Sequence, residues 1–375
     1  MSEWKKTYLR DLIVIKNGKD HKKLKNGPYP VYGSGGIMRY ADSYLYDQES
    51  VLLPRKGTLN NIQFVTEPFW TVDTCYYTVV NRDKVLPYFL YCCLCKMDIQ
   101  SLNTGSAVPS MTFEKYYSIE VPIPPLSTQH CIANILSRYD SLIENYQKQI
   151  KLLEEAAQRL HKEWFVDLHF PGHENTKIVD GVPEGWEKKS IGEIGTVITG
   201  KTPSTSNKEN YGGSIPFITI PDMHTGIYPV SSVFLSEKGA ESQSKKYIPQ
   251  GALIVSCIGT AGLVCITKER CQTNQQINSL ILDDKEMLHY MYFVFLSLKE
   301  HLNNIGSNGA TMTNVNKSKF EGIDIVVPSS CIIRDFSQRT TPYFENIKSL
   351  QSQLRLLTEA RDRLLPKLMN GEIAV

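Results

Sequence analysis

The chain has 375 residues, 41% of them hydrophobic and 21% charged, and its 41 Lys and Arg against 39 Asp and Glu leave a formal net charge of +2. That length allows two or three domains with real cores, and the composition reads as soluble and globular. A nearly neutral sum neither announces a nucleic-acid binder nor excludes one, because binding follows local patches.

Met1 to Lys16 carries charges throughout and has no apolar core for a signal peptide. The most apolar run, Tyr290 to Leu298, is too short to span a bilayer. Nine Cys include the cluster Cys92, Cys93 and Cys95, and no Cys pair stands at zinc-ligand spacing beside a His pair. They read as buried small apolar residues in a reducing cytosol, so the expectation is a cytoplasmic protein with no metal site.

Residues 1–125 mix short strand signals with Gly-rich turns and read as a first domain. Tyr29 to Gly36 reads as a turn-dense loop. Val51 to Leu53, Ile62 to Val65 and Cys75 to Val80 read as strands, Leu86 to Leu102 as a helix with Pro87 in its first turn, and Ile119 to Ile123 as an edge strand. Residues 126–170 contain no Gly or Pro before Phe170 and predict one long helix, N-capped by Ser127. Residues 171–182 read as a linker. Residues 183–329 repeat the scheme, with strands at Ile215 to Ile220, Ala252 to Val255 and Gln276 to Leu282, a helix from Met287 to Leu302, and Ile323 to Pro328 as the closing strand. Gly306-Ser307 and Met312-Thr313 match Gly105-Ser106 and Met111-Thr112. Residues 330–375 predict a second long helix, starting at Thr341-Pro342 after a separate short piece and kinked or ended by Pro366.

The two long helices share one pattern. Ile132, Leu136, Tyr139, Ile143, Tyr146, Ile150, Leu153, Ala157, Leu160 and Trp164 are spaced alternately by four and three, the a/d seam of a heptad repeat. Shifted by 204 residues, the same positions are Phe336, Thr340, Tyr343, Ile347, Leu350, Leu354, Leu357, Arg361, Leu364 and Leu368. The expected fold is mixed α/β (α+β): two similar globular domains and two long helices paired antiparallel as a coiled coil, related by an internal pseudo-two-fold. A helix of this length would span roughly 55 Å at about 1.5 Å per residue.

Pro30-Val-Tyr-Gly-Ser-Gly-Gly36, Gly200-Lys-Thr-Pro-Ser204, Tyr211-Gly-Gly-Ser-Ile-Pro-Phe217, Ile123-Pro-Pro-Leu126, Lys162-Glu-Trp-Phe-Val166 and Arg363-Leu-Leu-Pro-Lys-Leu-Met-Asn-Gly-Glu-Ile373 occur in order on this repeat. In this the chain resembles the specificity subunit of type I restriction–modification enzymes. The resemblance implies two target-recognition domains, each reading half of a split double-stranded DNA sequence. It implies that the paired helices act as a ruler and dock two methyltransferase subunits, with restriction and translocase subunits joining that core. It also implies no catalytic residues and no cofactor in this chain; S-adenosylmethionine, ATP and magnesium would belong to the partner subunits.

Each head must then supply phosphate contacts and side chains for base edges. In the first head Lys16, Lys19, Lys22, Lys23 and Lys25 form a basic loop, and Arg55-Lys56 with Asn60 and Asn61 combine charge with amide forks suited to adenine. The second head offers Lys201 to Ser206, including Ser204 and Thr205, then Lys245-Lys246 and Thr273-Asn274-Gln275-Gln276. At the position of Arg55-Lys56 it has Cys257-Ile258. Leu160, Trp164, Phe165, Leu364 and Leu368 are the candidates for helix pairing or methyltransferase docking.

Two other functions fit parts of the pattern. Gly195-Thr-Val-Ile-Thr-Gly-Lys-Thr202 fits the P-loop expression, and Ser279 to Asp284 resembles a Walker B strand. A P-loop needs a helix starting at its Lys-Thr, and Pro203-Ser-Thr-Ser-Asn207 has no apolar period to bury one. A coiled-coil scaffold without a nucleic-acid role is the other alternative.

Overall fold

The computed structural model of the chain describes residues 4–103, 105, 108–179, 181–306, 314–373 and 375. They fold as two units, residues 1–144 with 356–375 and residues 145–355.

In the first unit the strands are β1 (Lys5–Tyr8), β2 (Ile13–Lys16), β3 (Tyr29–Gly33), β4 (Gly36–Ala41), β5 (Ser50–Pro54), β6 (Gln63–Val65), β7 (Trp70–Thr71), β8 (Cys75–Val80) and β9 (Glu120–Ile123). Its helices are α1 (Pro87–Cys95), α2 (Phe113–Tyr117) and the start of α3 (Leu126–His161). The sheets run β2-β8-β5-β6, β4-β3-β7 and β1-β9. The second unit has β10 (Ile178–Val179), β11 (Val182–Pro183), β12 (Glu187–Ser190), β13 (Gly195–Thr199), β14 (Tyr211–Ile218), β15 (Val233–Leu235), α4 (Glu237–Glu241), β16 (Leu253–Ser256), β17 (Val264–Ile266), β18 (Gln272–Thr273) and β19 (Ile277–Leu282). Then come α5 (Leu288–Ser297), α6 (Lys299–Gly306), α7 (Lys317–Glu321), β20 (Asp324–Val327) and α8 (Ser330–Met369). Its sheets run β13-β19-β16-β17, β15-β14-β18 and β12-β20, beside the small β10-β11 pair.

The two units therefore have one topology, strand for strand. The duplication extends to the parallel pair, β3 with β7 and β14 with β18, in otherwise antiparallel sheets. It also extends to isolated bridges, Lys56 with Ser110 and Ile258 with Asn314. A parallel pair cannot be closed by a short hairpin, so it is a specific topological mark.

The heptad seam is buried or half-buried at all twenty positions. In the first unit Ile132, Leu136 and Leu368 lie in a core with α1 residues Phe89, Leu90 and Leu94. Arg361 meets Asp140 at 3.0 Å, and Leu364 and Leu368 follow it toward the Leu136 and Ile132 end, so the helices are antiparallel there. In the second unit Ala157, Phe336, Phe344 and Ile347 share the core with α5. Trp164, past the end of α3, meets Phe336, near the start of α8, with ring centroids 5.9 Å apart, which is again antiparallel.

Several local expectations are corrected. Tyr29 to Gly36 is not a loop: β3 and β4 form a hairpin across Ser34-Gly35, with a bulge between Val31 and Tyr32. Leu86 to Leu102 is not one helix: α1 stops at Cys95, and a 3-10 turn follows at Ile99–Leu102, capped by the Asp98 carboxylate. Likewise Met287 to Leu302 is divided between α5 and α6. Ser127 is not the N-cap of α3, because the helix already includes Leu126 and the Pro125 carbonyl accepts from the Gln129 amide. Nor does the last helix start at Thr341-Pro342; α8 is continuous through Pro342 and Pro366. Proline costs an interior helix about 3 kcal/mol. Burial of Phe336, Thr340, Phe344 and Ile347 around Pro342, and of Leu368 and Met369 beyond Pro366, outweighs that. The Gly306-Ser307 and Met312-Thr313 matches lie in part outside the described residues.

The start of α3 is tied to the first unit by Gln129, which is fully buried. Its amide donates to the carbonyls of Pro124 at 2.9 Å and Lys84 at 3.1 Å, and its own carbonyl accepts from the Leu86 N–H at 2.9 Å. Gln129→Ala leaves these backbone groups unpaired and is expected to cost about 2–3 kcal/mol. A denaturant midpoint equal to that of the wild-type chain would show that the joint contributes nothing.

Candidate nucleic-acid interface

The same locus recurs in both units, at the outer end of the β7 or β18 strand. Thr71 accepts from the Lys19 amide at 2.8 Å, and Thr273 accepts from the Lys201 amide at 3.0 Å. The preceding residues, Gly18 and Gly200, must be glycine for a steric reason. A Cβ on Gly18 would stand 2.0 Å from the Val72 carbonyl oxygen, and one on Gly200 would stand 2.1 Å from that of Asn274. The Gly-Lys step is thus a close crossing of two backbones, with the lysine side chain left exposed outside it.

The neighbouring loop is also equivalent. Arg55 donates its amide to Thr74, and Cys257 donates its amide to Gln276. The polarity has moved between partners. In the first unit the charge sits on Arg55 and Lys56, opposite Val72, Asp73 and Thr74. In the second Cys257 and Ile258 are apolar, and amides crowd the opposite turn as Asn274, Gln275 and Gln276.

The predicted DNA-binding residues fall into distinct settings. Lys22, Lys23 and Lys25 are exposed on a loop fastened to β4. Asp42 accepts from the Lys25 amide at 3.1 Å and returns its own amide to the Lys25 carbonyl at 3.0 Å. Arg39, which no sequence pattern marks, donates to the Leu24 carbonyl and the Asn26 side chain, both at 3.0 Å. Arg55 is half-buried over the Tyr76 ring and donates to the Asp73 carbonyl at 3.3 Å, while Lys56 is exposed. Asn60 and Asn61 are engaged within the protein. Asn60 accepts from the Gln100 amide at 2.7 Å and donates to Asp98 at 3.3 Å. Asn61 donates to the Ser34 carbonyl at 2.8 Å.

In the second unit Lys201, Ser204 and Thr205 are exposed. Thr202 donates to the Gln275 side chain, which draws the Lys201 loop and the amide turn together. Asn274 is spent on Gln276, donating to its side chain at 3.0 Å and accepting from its amide at 3.1 Å, and Gln276 reaches the Ile258 carbonyl at 3.4 Å. Lys245 and Lys246 stand apart on a 3-10 turn, Ser244–Lys246, held at the start of β18 through a Gln243 to Gln272 bond of 2.7 Å.

The P-loop expression has no P-loop behind it. Its first residues form β13, Lys201 and Thr202 lie in the loop described above, and the next helical turn is only the 3-10 piece Lys208–Asn210. Among the described residues no α-helix starts at Lys201-Thr202 to aim amides at a phosphate. Among the described residues no group of three or more His, Cys, Asp or Glu could hold a metal ion.

Of the pairing residues, Trp164 and Leu368 are buried in their own units' cores, and Leu160, Phe165 and Leu364 pack against those cores. Trp164 and Phe165 lie on a π-helical turn, Lys162–Val166, that ends α3. Beside them His161 is enclosed by Phe165, Tyr290, Phe293 and Phe336. Burial pulls its pKa down to about 4. His289, stacked on Phe344 with centroids 4.0 Å apart and bonded to the buried Thr340 hydroxyl at 2.9 Å, is likewise held at about 4 by burial.

Fold and site together define a recognition protein: one topology used twice, with exposed basic and amide-bearing loops on each copy. The comparisons with known proteins agree. A family model described as the type I restriction modification DNA specificity domain matches twice, at residues 1–155 and 183–338. The chain belongs to that family and is the specificity subunit of a type I restriction–modification system. It is 34% identical over 364 residues to the type I restriction enzyme HindI specificity subunit of Haemophilus influenzae, covering 78% of this chain and 79% of that protein. It is 28% identical to the MjaIX specificity subunit of Methanocaldococcus jannaschii, over 88% of this chain and 79% of the other. Its fold matches the crystal structure of the type I system S subunit from M. genitalium with a TM-score of 0.70, at 17% identity, over 97% of this chain and 96% of that one. Among the described residues no helix is long and apolar enough to cross a membrane.

Two outcomes are expected. Gly200→Ala places a methyl group against backbone rather than a flexible side chain, so it should destabilise the chain by about 1–3 kcal/mol and loosen the Lys201 loop. Faster amide exchange at Lys201 and Thr273 is the readout, and unchanged exchange would contradict it. The two histidines fold neutral, whereas an unfolded histidine titrates near 6.5. Their contribution is full above pH 6.5 and is lost as pH falls toward 4, at up to about 1.4 kcal/mol per pH unit for each. The melting temperature should therefore drop between pH 7 and 5, and drop less in His161→Phe; equal slopes would rule out His161 as a source.

Proposed function

We propose that each unit reads one half of a bipartite double-stranded DNA site, and that the chain directs partner adenine methyltransferase and restriction subunits to it without catalysing either reaction. The observation that carries this reading is the strand-for-strand duplication, each copy ending in the same Gly-Lys crossing beside an exposed loop of divergent chemistry. A shared frame gives both heads one way to meet a duplex, and divergent loops give them different bases to read.

The exposed lysines Lys22, Lys23, Lys25, Lys56, Lys201 and Lys245, with half-buried Lys246, are suited to phosphates. Arg55 and Gln275 are the side chains suited to base edges, together with Ser204 and Thr205, while Gln276, held between Asn274 and the Ile258 carbonyl, supports the loop. Asn60, Asn61 and Asn274 shape the loops that carry them. S-adenosylmethionine, ATP and magnesium belong to the partner subunits, and the cytoplasm is the compartment in which the assembly meets DNA.

Exchanging residues 1–125 for those of a relative, in the chain expressed with its own methyltransferase, tests this directly. Mapping methylated adenines should show that one half of the modified motif changes and the other stays. A change in both halves, or in neither, would overturn the two-reader arrangement.

A further inference from the structure

We infer that the β3–β4 hairpin is the element of the first unit that enters the major groove, with Ile37, Met38 and Tyr40 meeting apolar base edges such as the thymine methyl group. This deepens the function proposed above and rests on it.

Three observations converge. The first is exposure. Ile37, Met38 and Tyr40 on the edge strand β4 are 49%, 58% and 51% exposed. Large apolar side chains exposed together on an open edge strand are a liability that needs an occupant. The second is what flanks them. At the Ala41 end of the hairpin, Arg39 and Asp42 fasten the Lys22, Lys23 and Lys25 loop to β4. The fit is close: a Cβ on Gly27 would stand 2.4 Å from the Asp42 Cα. At the tip, Asn61 donates to the Ser34 carbonyl at 2.8 Å and Gln63 to the Gly33 carbonyl at 3.2 Å. These bonds dock the tip against the loop that carries exposed Lys56. Exposed apolar side chains with lysines at both ends complement a groove whose floor is base edges and whose walls are phosphates. The major groove, about 12 Å wide, admits a two-stranded ribbon, and β7 pairs with β3 only at Val31 and Tyr32, on the edge away from β4.

The third observation is the contrast with the other copy. There β14 and β15 are joined by residues 219–232 in place of Ser34-Gly35. That connection is folded down, with Ile227 and Tyr228 buried. Tyr228 donates its amide to the Gln351 side chain on α8 at 3.1 Å, and Lys348 lies over its ring. Asp222 pins the base of the connection through Thr219 and Ser232. The connection of the second unit is thus committed to its own helix, with Val230 and, on β15, Phe234 its exposed apolar residues at 40% and 39%, whereas β4 of the first unit exposes three.

The test is the triple variant Ile37→Ser, Met38→Ser, Tyr40→Ser in the full chain, expressed with the methyltransferase subunit of its own system. Methylated adenines are then mapped genome-wide. Methylation of the wild-type motif is expected to fall at least tenfold, or the first half of the motif to become degenerate, with the second half unchanged. Lys22→Gln with Lys23→Gln should instead weaken methylation evenly across sites and flatten its salt dependence without altering the motif. A triple variant that methylates the wild-type motif at the wild-type rate overturns the inference. If the triple variant melts early, Met38→Gln alone carries the test, under the same two outcomes. A wild-type complex that modifies no split motif overturns the proposed function itself, and the wild type is measured first so that the two failures are told apart.

Discussion

Burial of the heptad seam is the constraint on which the rest of each unit depends. Neither helix segment could stand alone in water with a stripe of Ile, Leu and aromatic side chains exposed. In the first unit Ile132, Leu136 and Leu368 complete a core that also receives α1 and the strands. In the second, Ala157, Phe336 and Ile347 do the same beneath α5. The strength of this burial is visible in α8, which stays helical through two prolines because the flanking turns are buried. At the seam Arg361 is partnered by Asp140, which in turn accepts from Tyr88 at 2.5 Å. A half-buried charge is tolerated at such a junction when its hydrogen bonds are met.

On that base the two units share a skeleton and differ in what they display. The Gly-Lys crossing is set by backbone geometry, so it survives in both. The side chains around it are free of that demand, and they differ: Arg55 and Lys56 in one unit, the Asn274 to Gln276 amides in the other. Recognition proteins need this division, because the frame must place a loop repeatably while the loop must be able to change. The fate of the hairpin follows the same logic. A two-residue connection leaves β4 as an exposed edge beside β3, whereas a longer one in the second unit folds back and buries Ile227 and Tyr228.

The P-loop expression in the second unit shows how a pattern can mislead when its setting is missing. Gly200 is needed there for a backbone crossing, Lys201 is a surface lysine of that crossing, and Gly195 lies within a strand against the Ile281 carbonyl. Each residue has a local reason that has nothing to do with phosphate. The matching residues Gly18 and Lys19 in the first unit, which lack the rest of the expression, make the same crossing.

Much of the architecture was legible in the sequence. The four-three spacing and its recurrence at a fixed offset announced two like helices, and the β-branched runs marked β5, β8, β16 and β19, because periodicity and strand propensity are local properties. The family resemblance was legible for the same reason, in short motifs kept in order. What the residues could not show by themselves was anything set by partners distant in the chain. Tyr29 to Gly36 reads as a loop until β4 and β7 close on either side of it. Asn60, Asn61 and Asn274 read as free amides until their partners are in place: Asp98 and Gln100, the Ser34 carbonyl, and Gln276. Thr341-Pro342 reads as a helix start until the buried core on both sides outweighs the proline. The local pattern determined the elements and their repetition; tertiary packing decided which polar side chains were consumed in holding the loops and which were left facing solvent, because a hydrogen bond or a buried surface exists only once both partners have been brought together.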